Sequence, residues 1–335
     1  MRDYSGHGYG QMSDSWVRFG WQGLSAETPA DWELVGIPKT HDAAEGYLRL
    51  DDADQPRFEL KWNSHPQRTF DIEKTLDDYL SGIRKTYEKQ IGPIEIRKDQ
   101  PLIPSNGPDA AFHDHREVRF FAWRGELRAY GAIWRCTQCQ RVVMAQVIGP
   151  SGGGATRREA VRVLSSIRDH PTSSTNLWTA YGLEMDVPRR FRLDKLQLLN
   201  GYILFSFTDG SARIAVERYG LADQHMKGED IDSWFRRTYA KHLRGTTLAL
   251  DKDDLHEGAV RIWDVSLLKD WQAYMRPVQT AGHVWRDASA NRLFVVRATG
   301  KRDLRAVTRR IAESIPLRPS EIAGDLDDRP GEAVA

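Results

Sequence analysis

The stretch Gly131–Gly149, GAIWRCTQCQRVVMAQVIG, is written a second time at Gly282–Gly300 as GHVWRDASANRLFVVRATG, and the two align without a gap. Gly131, Trp134, Arg135, Arg141 and Gly149 meet Gly282, Trp285, Arg286, Arg292 and Gly300. Most other positions exchange one apolar residue for another, as two copies of one β-hairpin under the same packing constraint do. Such an echo makes a repeat architecture the first expectation. The chain's 335 residues suit two domains of about 150 residues each.

The rest of the chain can be laid out along this echo. The first unit opens near Trp16 and the second near Trp178, with Gly23, Pro29, Trp32 and Leu34 meeting Gly182, Pro188, Phe191 and Leu193. Apolar–polar alternation broken by a Pro turn predicts strand, turn and strand. A hairpin follows in each copy, from Gly46 to Leu60 and from Gly201 to Val216, across turns rich in Asp. An amphipathic helix comes next, about Leu76–Lys89 and Ile231–Leu243, with Tyr79, Ile83 and Tyr87 on one face and Ile231, Phe235 and Tyr239 at the same spacing. VRFFAW from Val118 then pairs with VRIWDV from Val260, the repeated hairpin follows, and helices close the units at about Thr156–Asp169 and Arg302–Ser314. The expected fold class is α+β, two tandem units, each an antiparallel β-sheet packed with helices. The division is a tail at 1–15, a first unit at 16–170, a linker at 171–176, a second unit at 177–316 and an acidic tail at 317–335.

Within the repeated hairpin, Val143, Ala145 and Val147 share one strand face, and Val142, Met144 and Gln146 share the other. The first face is apolar in both copies and is expected to carry the helices. The second admits Gln146 or Arg297 at the same place, so it is read as the face that meets solvent or a partner. Trp134 and Trp285 are expected as buried anchors.

The order of strand, Pro-x-x-aromatic turn, hairpin, helix, strands and terminal helix resembles the PsbP-like fold, on the motifs Thr28-Pro29-Ala-Asp-Trp32 and Val187-Pro188-Arg-Arg-Phe191. That fold is shared by extrinsic subunits of the photosynthetic oxygen-evolving complex, a nuclear Ran-binding protein and small bacterial relatives. The resemblance implies a non-catalytic binding or assembly module, and no ligand residue of the family maps onto a position here.

Composition narrows the classes. A formal net charge of +1 supplies no global field for nucleic acid or an anionic membrane. A hydrophobic content of 40% with 28% charged residues argues for packed cores under a solvated surface. No run reads as a signal peptide or a membrane span, and the two cysteines cannot make a disulfide framework, so a cytoplasmic location is expected.

Candidate chemistry is sparse. Cys136 and Cys139 form a CxxC at the hairpin tip, where two thiolates can meet one metal or each other. Zinc needs more ligands, and His113 and His115 are the nearby supply in sequence. The second copy has Asp287 and Ala290 in place of the cysteines, so the turn forms without them. The loop Gly152-Gly153-Gly154 before Arg157 and Arg158 has P-loop spacing but Ala155 where the lysine belongs; it reads as a possible anion site, and nucleotide is not expected. Paired arginines read as solvated faces, and nucleic acid is not expected. No nucleophile–base or metalloprotease pattern is present, so no catalytic residue is assigned. The expectation is a non-catalytic, protein-binding or assembly protein without cofactor; the alternative is a zinc or small-ligand site at the CxxC.

Overall fold

The computed structural model describes residues 15–37, 44–64, 70–152, 154–170, 173–240, 249–256, 258–267, 277–317 and 321–322. In the first unit these form β1 (Trp16–Trp21), β2 (Leu24–Pro29), β3 (Glu33–Gly36), β4 (Glu45–Asp51), β5 (Pro56–Asn63), α1 (Ile72–Ile91), β6 (Glu95–Lys98), a 3₁₀ turn (Ala110–His113), β7 (Arg116–Arg124), β8 (Leu127–Cys136), β9 (Val142–Pro150) and α2 (Ala155–Ser166). The second unit has β10 (Thr175–Ala180), β11 (Leu183–Pro188), β12 (Arg192–Leu199), β13 (Tyr202–Thr208), β14 (Ala212–Gly220), α3 (Ala222–Met226), α4 (Ile231–Tyr239), β15 (Ala249–Lys252), β16 (Val260–Leu267), β17 (Pro277–Asp287), β18 (Arg292–Gly300) and α5 (Arg305–Glu313). A two-residue strand, β19 (Glu321–Ile322), follows.

Two seven-stranded antiparallel sheets dominate, in the orders β3-β4-β5-β9-β8-β7-β6 and β12-β13-β14-β18-β17-β16-β15. These orders are the same order, element for element. The molecule is therefore two similar sheet-rich units, and it is more β than α. Among the described residues no helix is long and apolar enough to cross a membrane.

The opening hairpins form for a local reason. Gln22 and Gly23 have φ of 48° and 83°, and Tyr181 and Gly182 have 49° and 71°. Both turns thus put two successive residues at positive φ, as a type I′ hairpin requires. Each hairpin ends at its proline, where Trp32 N donates to Pro29 O at 3.2 Å and Phe191 N to Pro188 O at 2.9 Å. The shared glycines of the repeat are explained by close approach: a Cβ on Gly131 would run into the Phe121 ring and one on Gly282 into the carbonyl of Val296.

Each sheet carries helices on both faces. Ile72, Leu76, Leu80, Ile83 and Tyr87 of α1 pack on Ile133, Val142 and Ile148, while Trp234, Phe235 and Tyr239 of α4 pack on Val284, Leu293 and Val295. The opposite faces meet α2 through Ala160, Val163 and Leu164, and α5 through Ile311 and Ala312, in one core that runs through both units. Trp21 and Trp178, one from each opening hairpin, meet edge-to-face at 5.3 Å between centroids in that core. Polar ties cross beside them: Gly20 N donates to Thr179 Oγ1 at 2.9 Å, Tyr181 OH to Leu34 O at 2.6 Å, and Arg18 pairs with Glu184.

Several expectations need correction. The Gln146/Arg297 face is not a free surface, because α1 and α4 cover it. Gln146 is fully buried, accepts from Trp123 Nε1 at 2.9 Å and donates to Glu59 at 2.7 Å. Arg297 donates to Glu217 at 2.9 Å and lies 5.2 Å from the Tyr239 ring centroid. The pairing of Val118 with Val260 is a one-residue slip. In register, Phe121 faces Gly131 and Ile262 faces Gly282, so Val118 corresponds to Ala259. One residue of slip turns a strand over, so the chance recurrence of Val-Arg misleads where the buried Phe121 and Ile262 do not. The expected linker also gives up Thr175 and Asn176 to β10. The acidic tail is not wholly apart from the fold, since Ile322 pairs with Trp16 and Glu321 with Val17. Residues 1–14, 171–172 and 323–335 lie outside the described residues.

Candidate metal centre

The repeated hairpin holds the CxxC where expected, at the turn between β8 and β9. Cys136 N donates to Arg141 O and Gln140 N to Cys136 O, each at 2.9 Å, and Gln140 takes φ 61° to close the turn. The Cys136 sulfur, almost wholly buried, accepts from the backbone N–H of Cys139 at 3.5 Å. Cys139 itself is exposed.

The ligands that join the thiols are not the predicted ones. His113 is turned away, with Nε2 3.0 Å from Ile103 O and its ring edge-on to Phe112. His115 is exposed at φ 59°, and what it offers the tip is its carbonyl, which accepts from Thr137 N at 2.7 Å. The residues that reach the thiols are Asp169 and His170. Their carboxylate and imidazole atoms and the two sulfurs lie within 4.8 Å of one another, and His170 Nδ1 is 3.9 Å from Cys136 Sγ. A tetrahedral zinc with ligand bonds of about 2.0–2.3 Å needs its donors about 3.3–3.8 Å apart. Closing this set by roughly an ångström therefore suffices for an ion.

Asp169 and His170 stand where they do because α2 ends at Ser166 and the chain behind it is pinned on three sides. Arg168 exchanges backbone bonds with Ser25 at 2.8 and 3.0 Å, Arg116 donates to Ile167 O at 2.9 Å, and Arg141 donates to Asp169 O at 2.7 Å. The Asp169 carboxylate is deeply buried. It accepts from Trp134 Nε1 at 2.9 Å and from Arg116 at 3.2 Å, and it lies 3.3 Å from His170 Nδ1. Burial alone would raise its pKa, but Arg116 and the indole hold it below the usual carboxylate range. Burial raises the Cys139 thiol, with the Cys136 sulfur acting in the same direction. An ion at this place would reverse that by binding the thiolate.

This group has no copy in the second unit. Asp287 occupies the Cys136 position and caps the turn by accepting from Ser289 Oγ at 2.7 Å and Ala290 N at 3.1 Å. By the spacing of the closing helices, Asp169 and His170 correspond to Leu317 and Arg318, neither of which ligates a metal. That contrast is present in the sequence, where His170 is the last residue of the first unit and precedes the linker.

The glycine loop shows less. Gly154 is the N-cap residue of α2 with no side-chain cap, Gly152, Arg157 and Arg158 are exposed, and Gly153 lies outside the described residues. Among the described residues, what this loop presents is the first turn of a helix.

The fold and this site define a β-rich two-unit protein with a clustered pair of cysteines, an imidazole and a carboxylate. No family model matches the chain, and no curated protein matches it. Among solved structures, it is similar to MucB in the crystal structure of MucB in complex with MucA(peri), at 12% identity over 91% of this chain and 92% of that one. The TM-score is 0.18, too low to support any argument.

Proposed function

We propose that the protein is a non-catalytic, metal-binding assembly protein whose first unit holds one zinc ion on Cys136, Cys139 and His170, with Asp169 as fourth ligand or as the carboxylate that orients the site. The observation that carries this is the convergence of four donor atoms from two separate segments within 4.8 Å. The donor set suits zinc, since thiolate and imidazole together select a borderline-soft ion without redox chemistry. Such an ion ties the β8–β9 turn to the segment that leaves the first unit, and its binding energy adds to folding.

Two further readings belong here. Duplication of one ancestral unit is supported by the matching strand orders and the paired I′ turns. It is also supported by a repeated cap, in which Glu27 N donates to Ser166 Oγ at 2.8 Å and Asp186 N to Ser314 Oγ at 2.9 Å. The PsbP-like resemblance remains a proposal for the parent unit, resting on the two Pro-x-x-aromatic turns. A protein partner is retained as the role of the joined units, which the shared core makes a single platform.

The test is metal content and cobalt substitution of the purified full chain. One equivalent of ion with a thiolate-to-cobalt charge-transfer band is expected, lost in Cys136→Ser and weakened at least about tenfold in His170→Ala. His113→Ala and His115→Ala should bind as wild type. Protein that takes up no ion, or equal loss in the His113 and His170 variants, defeats the assignment.

A further inference from the structure

The repeat places Arg141 and Arg292 at equivalent positions, yet their surroundings differ. Arg141 is held by Asp169 O and by Ser64 Oγ at 3.0 Å. Arg292 is half-buried, and among the described residues its side chain makes no hydrogen bond and no ion pair. It lines a cavity of about 290 Å³ between the two units. The cavity has an apolar wall, in which Phe19, Trp32, Leu34 and Leu183 are each buried, and a charged rim with Glu33 and the Arg18–Glu184 pair. That combination, apolar lining with a few polar groups at a junction between units, is how small-molecule sites are built.

The guanidiniums at the rim lack close carboxylate partners. Arg218 stands on β14 next to Arg292 on β18, where Gly220 is the partner of Arg292, and its guanidinium donates to the carbonyl of Tyr181. Arg218 has no ion pair among the described residues either. Burial, then the neighbouring charge of Arg292, lowers its pKa to about 10, and Glu33 offsets this only in part. Glu33 is itself pushed up by desolvation. Arg18 is already matched by Glu184, and Arg292 acts on Glu33 and, across the β17–β18 ladder, on Asp287, but among the described residues no carboxylate lies within ion-pair distance of Arg292 or Arg218.

We infer that this cavity binds a small monocarboxylate with an apolar body, its carboxylate on Arg292 in the field of Arg218 and its body against Phe19, Trp32, Leu34 and Leu183. A carboxylate gives Arg292 the close partner it lacks and can take both of its guanidinium N–H groups in parallel, a geometry that a neutral group cannot match. The size of the cavity favours a compact acid over a peptide. The inference does not depend on the metal centre.

The experiment compares 3-phenylpropionate with 3-phenylpropanol, which has the same body without the charge, by calorimetry and by the shift of the Trp32 indole N–H resonance. The acid is expected to bind with a Kd in the low millimolar range or below and to shift the Trp32 signal, while the alcohol binds at least about tenfold more weakly. Arg292→Gln should lose that preference while keeping its unliganded Tm, since no partner of Arg292 is lost. Glu33→Gln should tighten the acid several-fold by removing the competing carboxylate. Cys136→Ser should leave acid binding unchanged. Equal binding of acid and alcohol, an unchanged preference in Arg292→Gln, or no Trp32 shift at millimolar acid overturns the proposal.

Discussion

The two hairpin tips, 135–141 and 286–292, share a backbone plan and differ in what stands behind them. In the first, the Trp134 indole donates to Asp169, whose backbone carbonyl in turn holds Arg141. In the second, Trp285 is as deeply buried as Trp134, but among the described residues its Nε1 has no partner, and neither do Asp287 Oδ2 and His256 Nε2 nearby. A repeated scaffold thus preserves volume and strand register. The partners of the polar atoms that the scaffold buries are set separately in each copy, and the two copies differ in the donor set gathered behind the tip.

This contrast can be tested most directly with metal. Zinc at about a thousand times its Kd should stabilise the chain by about 4 kcal/mol, read as a rise in Tm that chelator reverses. The double substitution Asp287→Cys with Ala290→Cys should not create a second site of comparable affinity, because the second tip has no counterpart of His170. A second equivalent of tightly bound ion in that variant would break the comparison. Next in size is the indole pair. Trp134→Phe should cost about 1–3 kcal/mol more than Trp285→Phe in denaturant titration, since only the first strands a buried carboxylate oxygen. Asp287→Ala should cost about 1 kcal/mol by losing the turn bonds to Ser289 and Ala290.

The smallest effect concerns pH. His283, which replaces Ala132 of the first unit, is buried against Asp253, whose other oxygen accepts from Arg309 at 3.2 Å. Burial lowers the pKa of His283 below its ordinary value of 6.5, and Asp253, already shared with Arg309, does not restore it. Below pH 6.5 the unfolded chain therefore binds the proton that the folded chain refuses. Stability should be flat above pH 6.5 and should fall as the pH drops from there towards the folded pKa. His283→Gln should flatten that slope; an unchanged slope would assign it to another group.

Much of the architecture was legible because apolar spacing reports burial. Tyr79, Ile83 and Tyr87 marked α1, and Phe235 and Tyr239 marked α4, whereas alternation marked only the Pro turns after the opening hairpins and not the Gln22-Gly23 and Tyr181-Gly182 turns within them. What alternation could not show was the second covered face. Gln146 and Arg297 look like surface residues on a strand, and they are buried because Glu59 and Glu217 answer them from the neighbouring strands beneath a helix. Periodicity records which side of a strand a residue occupies; it is silent on whether another layer lies above. The candidate metal ligands were half-legible for a related reason. The CxxC is contiguous, so it announces itself, whereas His170 reaches it through the path of the chain after α2. Proximity in sequence pointed to His113 and His115, whose ring nitrogen and carbonyl are engaged with the backbone of Ile103 and of Thr137.

Strand β19 bears on when this fold can be completed. Trp16 waits for Ile322, a partner some 300 residues downstream, so the sheet that opens the chain gains its last strand only after nearly everything else has been synthesised. Closing so long a loop is slow to find even though each doubling of its length adds only about 0.6 kcal/mol. The edge of β1 is left as an open hydrogen-bonding template in the interval, which makes it the place where a nascent or truncated chain is most exposed to pairing with the wrong strand.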